Sequence, residues 1–191
     1  MTLQHAFKEW AVICEALAQG RQALILRKGG IEEHAGEFAV EQARFWLYPT
    51  FTHQQKDGIQ EEALQLLETA EANRPPTGKL RLQHWAEVVT IYRIRDELPV
   101  LLLSHLHCWS EETIRQRFHY RDSGLYLLVV RVQRAPVAHE IAELPAYAGC
   151  KSWVELEKPL AIDGSTPVLD DADFHIVRKQ LDMLLAPTAF A

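Results

Sequence analysis

Arg27 and Lys28 end the apolar run Ala23-Leu24-Ile25-Leu26 and are followed at once by Gly29 and Gly30. Four apolar residues in a row read as a buried strand. A buried strand that delivers two cations to a glycine turn is a place to hold an anion. Arg117, Arg121 and Lys151 are further phosphate candidates, and Trp46, Tyr48 and Trp153 are aromatics able to stack a base. Tyr48-Pro49-Thr50 with His53-Gln54 places a hydroxyl, an imidazole and an amide on a proline-fixed turn, where His53 suits a general base near neutral pH. In Gly149-Cys150-Lys151-Ser152-Trp153 a lysine adjoins a thiol and would lower its pKa. Each group also has an ordinary structural reading: aromatics as core, cations as solvated surface, the polar turn residues as caps.

Other chemistry is weakly motivated. His105, His107 and Cys108 are too few for a zinc site, so they read as structural and no metal or other cofactor is expected. Glu155-Leu156-Glu157-Lys158 has the wrong spacing for a metal-dependent nuclease. Asp170, Asp171 and Asp173 sit where a helix N-terminus favours them for stability alone. No catalytic residue is assigned.

The elements that must position these groups follow from periodicity. Leu3, Phe7, Trp10, Cys14 and Leu17 recur at helical spacing, so residues 3–19 predict a helix stopped by Gly20. Strands are expected at 23–27, at 44–48 closed by Pro49, at 85–94, at 125–134 continuing beyond Pro136 to 141, and at 153–156. An acidic helix is expected at 57–72, a helix capped by Ser110, and a last helix capped by Asp170. The prolines and glycine at 75–78 are the best internal break, but neither side has enough strands to stand alone. The expectation is one α+β domain over 1–191, with a mixed or antiparallel barrel of five to six strands, flanking helices and a helical insertion around 55–76.

Composition narrows the class. With 191 residues, 48% hydrophobic and 24% charged, the chain has globular usage. It has no apolar run of the roughly 18 residues a membrane helix needs, and its first residues lack a signal-peptide pattern. Three cysteines suit reduced thiols, so a cytoplasmic location is expected. A net charge of −6 argues against coating nucleic acid along its length. The charge is uneven, however: residues 113–136 carry five arginines and one aspartate.

The run Gly20-Arg21-Gln22-Ala23-Leu24-Ile25-Leu26-Arg27 resembles the opening Gly-Lys-Lys-x-x-Glu-x-Arg of ASCH domains, a branch of the PUA-like superfamily. Gly20 and Arg27 match and Arg21 is a basic substitute, while Gln22 and Ile25 replace the second Lys and the Glu. The later strand Val129-Val130-Arg131-Val132-Gln133-Arg134-Ala135-Pro136-Val137 is similar to the C-terminal half of EVE-type and ASCH-type domains. The chain also resembles a bacterial family of unknown function reported beside Mrr-like restriction endonucleases, in its Arg-Lys-Gly-Gly-Ile, Leu-Tyr-Pro-Thr and Gly-Cys-Lys-Ser-Trp segments. These resemblances imply a PUA-like barrel that binds DNA, RNA or a nucleotide-like ligand and reads a modified base in a restriction or repair setting. Arg27 and Lys28 would hold the anion, and Tyr48 and Trp153 would flank the base, with Thr50, His53, Arg117, Arg121, Lys151 and Ser152 around them. ASCH relatives include an amidohydrolase acting on modified cytidine through the Lys and Glu that are Gln22 and Ile25 here, so binding is favoured over catalysis. Two alternatives stay open: a small hydrolase of modified nucleosides using His53 or Cys150, and a non-catalytic partner of a restriction nuclease docking through residues 57–72.

Overall fold

The computed structural model describes residues 1–28, 33–34, 37–38, 42–52, 54–149 and 151–185. Gly29, Gly30, Gly36, His53 and Cys150 lie outside the described residues.

In chain order the elements are β1 (Thr2–Trp10), α1 (Ala11–Ala18), β2 (Leu24–Arg27), β3 (Glu33–His34), β4 (Glu37–Phe38), β5 (Arg44–Thr50), α2 (Leu64–Ala72), β6 (Lys79–Ile94), α3 (Leu98–Leu102), α4 (Glu111–His119), β7 (Leu125–Ala142), β8 (Trp153–Ala161), β9 (Thr166–Pro167) and α5 (Asp171–Leu184). Four short 3-10 turns, at 56–58, 61–63, 104–106 and 145–147, join them. The main sheet runs β2-β7-β6-β5-β1-β8, with β9 on β7, and β3 and β4 form a separate ribbon. The β1–β5 pair is parallel and the other pairs are antiparallel. The α+β class therefore holds, but the barrel of five to six strands is corrected to an open, mixed, seven-stranded sheet. Among the described residues β2 and β8 are its edges, and no pairing joins them.

The helix expected over 3–19 is also corrected: residues 2–10 are extended and only 11–18 are helical. Leu3, Phe7 and Trp10 mimic a helical face, but the deciding contacts are non-local. Ala6 packs into one buried cluster with Trp46, Tyr48 and Val154, whereas Phe7 packs into the other with Phe45 and Leu47. That is the alternation of a strand covered on both faces. The helix stop is as expected. Gly20 has φ +69°, and the Gly20 and Arg21 amides donate to the Leu17 and Ala16 carbonyls at 3.2 and 2.9 Å.

Neither strand proline ends its strand. Pro49 lies beyond the β5–β6 pairing, which covers 44–46 only. Pro136 lies in a bulge where Leu82 opposes His139 but His84 opposes Arg134, so no ladder hydrogen bond is asked of it. The larger cluster packs α1, α2, α4 and α5 onto one face of the sheet, and the smaller one fills the other face under the 145–147 turn. Ser110 and Asp170 cap their helices, accepting from the Thr113 and Asp173 amides at 3.3 and 2.8 Å. Among the described residues no helix is long and apolar enough to cross a membrane.

Candidate anion-binding hollow

The parallel pair β1–β5 brings Glu9 beside Pro49 and Trp10 beside Thr50 at the C-terminal ends of both strands. The end of β2 and helix α4 approach the same place. They enclose a hollow of about 580 Å³, in the usual range for a small-molecule site. Lys8, Arg27, Arg74, Lys79, Arg117 and Lys151 line it against two carboxylates, Glu9 and Glu143. In a chain of net charge −6, that local excess of cations selects for an anion.

At its floor is a compact charge cluster. Glu9 is only 3% exposed. Its Oε1 accepts the Trp10 amide at 2.9 Å and its Oε2 accepts Arg27 Nη1 at 3.4 Å. Arg27 also donates through Nη2 to Ser152 Oγ and lies over the Phe7 ring at 4.5 Å. Arg27 is thereby held in place. Arg117 is not: its guanidinium sits between Trp10 and Trp109, at 4.9 and 5.4 Å from their centroids. Among the described residues it has no hydrogen-bond acceptor. Burial lowers its pKa, Glu9 opposes that shift and Arg27 adds to it. An arginine keeps its charge regardless. The result is a charged, half-buried guanidinium that faces the hollow with no protein acceptor among the described residues.

Of the residues singled out from sequence, Arg27, Tyr48, Thr50, Arg117 and Lys151 line this hollow. Ser152 reaches it through Arg27. Tyr48 is buried, and its hydroxyl donates to Glu143 Oε1 at 2.7 Å; burial first, then this carboxylate, raise its pKa. Thr50 Oγ1 donates to the Glu9 carbonyl at 3.0 Å.

Four of the expected residues are elsewhere, the first being Trp46, which is fully buried in the smaller core cluster with its indole donating to the Leu3 carbonyl at 3.2 Å. Lys28 turns away and donates to the carbonyls of Phe118, Asp122 and Gly124, closing the end of α4. Arg121, at φ +59°, stacks on Tyr120. Trp153 packs edge-on to Phe7 and Phe45 at 4.8 and 5.1 Å. His53 and Cys150 lie outside the described residues.

Sequence reasoning missed Glu9, Trp10, Phe51 and Glu143. The available signal was Glu9 itself, a carboxylate in a stretch whose neighbours Phe7 and Trp10 are aromatic.

Trp10 is positioned by a glycine. A Cβ on Gly58 would come within 2.8 Å of the Trp10 ring. Gly58→Ala is expected to displace Trp10 from Arg117 and weaken anion binding about tenfold, with a stability loss of about 1–3 kcal/mol. Parallel titration and urea unfolding check both.

Gln22 is buried and structural. Its amide nitrogen donates to the Leu24 carbonyl and its oxygen accepts the Cys108 amide, at 2.6 and 3.0 Å. Ile25 is core. Among the described residues no three His, Cys, Asp or Glu are placed to hold a metal.

His107 is buried, with Nε2 3.4 Å from the Val100 carbonyl and no partner for Nδ1. Desolvation pushes its pKa down to about 4, as it does for His84, where Arg134 adds to the effect. The unfolded chain therefore binds more protons between pH 6.5 and 4. The stability from neutral His107 is full above about 6.5 and is lost as pH falls through 4, by about 3 kcal/mol at most. Urea unfolding at pH 7 and 4.5 is expected to show the loss, and His107→Leu to reduce it, leaving the part due to His84.

A model of a domain of unknown function, DUF1802, matches residues 6–180. The chain belongs to the DUF1802 family. None of the curated proteins matches. Among solved structures, the DUF1802 chain is similar to ASCH from Zymomonas mobilis, at 14% identity and a TM-score of 0.44 over 95% of both chains. Serine-to-alanine and tyrosine-to-phenylalanine variants of that protein match at 12% and 13% identity, with TM-scores of 0.47 and 0.45. They cover 95% of this chain and 96% and 98% of theirs.

Proposed function

We propose that this protein binds a phosphate-bearing, nucleotide-like ligand or a nucleic-acid phosphate in the hollow between β1, β5 and α4. The observation that carries the reading is Arg117, a half-buried guanidinium with no acceptor among the described residues, beside an arginine already fixed by Glu9 and Ser152. Desolvated charge of this kind is costly unless paired, and a phosphate oxygen supplies the missing acceptor. Arg27 and Arg117 form the clamp, Lys151 and Arg74 the rim, and the aromatic surfaces at the wall are Trp10 and Phe51. Reading a modified base, and a restriction or repair setting, are finer forms of this proposal that rest on the sequence resemblance alone. The chemistry assigned is recognition, carried by the cations Arg27, Arg117, Lys151 and Arg74 that line the hollow.

Equilibrium titration with a nucleoside monophosphate and with a labelled oligonucleotide, at 50 and 200 mM salt, tests it. The expected result is binding that weakens with salt at the shallow slope of about two or three phosphate contacts. No binding, or binding indifferent to salt, contradicts it.

A further inference from the structure

The hollow does not end at Phe51. Pro49, Phe51 and Pro75 also line a second hollow of about 420 Å³, built against α1 and the start of β6. Phe51 is half-buried on the divide and carries Arg74 at 4.7 Å from its ring centroid. In the second hollow His84 and Arg134 are register partners across β6 and β7. Arg81 is committed to Glu140 at 3.4 Å. Arg134 is exposed and has no hydrogen bond or ion pair among the described residues. Glu15 is the carboxylate of this hollow. His84 is neutral near pH 7, so it presents one donor and one acceptor nitrogen.

Two hollows that share an aromatic divide, each with a guanidinium that has no acceptor among the described residues, match a repeating anion rather than a single one. We propose that the second hollow takes the neighbouring nucleotide of the same ligand, with its base against Phe51 and its phosphate at Arg134. The ligand is then a single strand of at least two nucleotides rather than a mononucleotide. A base must be free of a partner strand to reach an aromatic in a recess, and stacking of this kind tolerates any base. The inference rests on the reading of the first hollow as a phosphate site.

The test compares a nucleoside monophosphate, a dinucleotide with a 5′-phosphate and six-residue oligomers of RNA and DNA. Each is titrated against the native chain, Arg134→Gln, Phe51→Leu and Arg117→Met. The dinucleotide is expected to bind roughly ten- to a hundredfold more tightly than the monophosphate. Arg134→Gln should erase most of that advantage and leave the monophosphate within about twofold, while Phe51→Leu, on the shared divide, and Arg117→Met weaken every ligand. The RNA and DNA arms identify the sugar. Equal affinity for monophosphate and dinucleotide, unmoved by Arg134→Gln, overturns the second hollow and leaves the first standing. Binding that Arg117→Met does not weaken, or no binding of any probe, overturns both.

Discussion

Replacing Arg117 by methionine is expected to lower affinity for a phosphate-bearing ligand by about a hundredfold while leaving the protein as stable as before, or more so. The loss is close to the lower bound of what two charge-assisted hydrogen bonds, each about 1.5–3 kcal/mol, supply. The stability result follows from how Arg117 is housed. Its guanidinium lies between Trp10 and Trp109 and meets no acceptor among the described residues. Its neighbour Arg27 repels it, and burial disfavours its charge. A methionine keeps the contact with both indoles and removes the uncompensated charge. Titration calorimetry and thermal unfolding of the same two proteins read both effects. A large fall in melting temperature with unchanged affinity would assign Arg117 to packing.

Glu9→Gln is expected to have the opposite balance. Glu9 is the single carboxylate shown bonded to Arg27, and it offsets the charge of Arg117. Neutralising it leaves two guanidiniums facing each other in a site with little water, and a broken buried pair costs about 3–5 kcal/mol. Arg27 remains partly solvated, with 18% of its side chain exposed, so the lower end of that range is expected. The same change makes the cluster hungrier for anions. Inorganic phosphate at millimolar concentration should therefore raise the melting temperature of Glu9→Gln more than that of the native chain. Equal shifts in the two proteins would show that the anion does not meet this cluster.

Much of the fold was legible where the deciding interactions are local. Ser110 and Asp170 announce their helices because a short polar side chain can satisfy an amide three residues ahead. Gly20 announces the end of α1 because its φ of +69° suits no other residue as well. What escaped depends on partners far along the chain. Residues 2–10 carry a pattern that fits a helix, and only the distant β5 and β8 make them a strand. Pro49 reads as a strand end because sequence does not say which side of a strand is paired, whereas the continuation past Pro136 was legible.

The candidate site divides in the same way. Arg27 was visible from the apolar run before it, and Arg117 and Lys151 from their charge. Lys28, just past the end of β2, points across to the carbonyls closing α4. Glu9 was hidden because its role exists only once Arg27 and Arg117 arrive from other elements.

The most direct measurement of the central claim is a crystal structure with a nucleoside monophosphate bound at neutral pH. The phosphate oxygens are predicted to lie about 2.7–3.0 Å from the guanidinium nitrogens of Arg117 and Arg27. Full occupancy elsewhere on the protein, with the Arg117 donors still unused, would contradict the account.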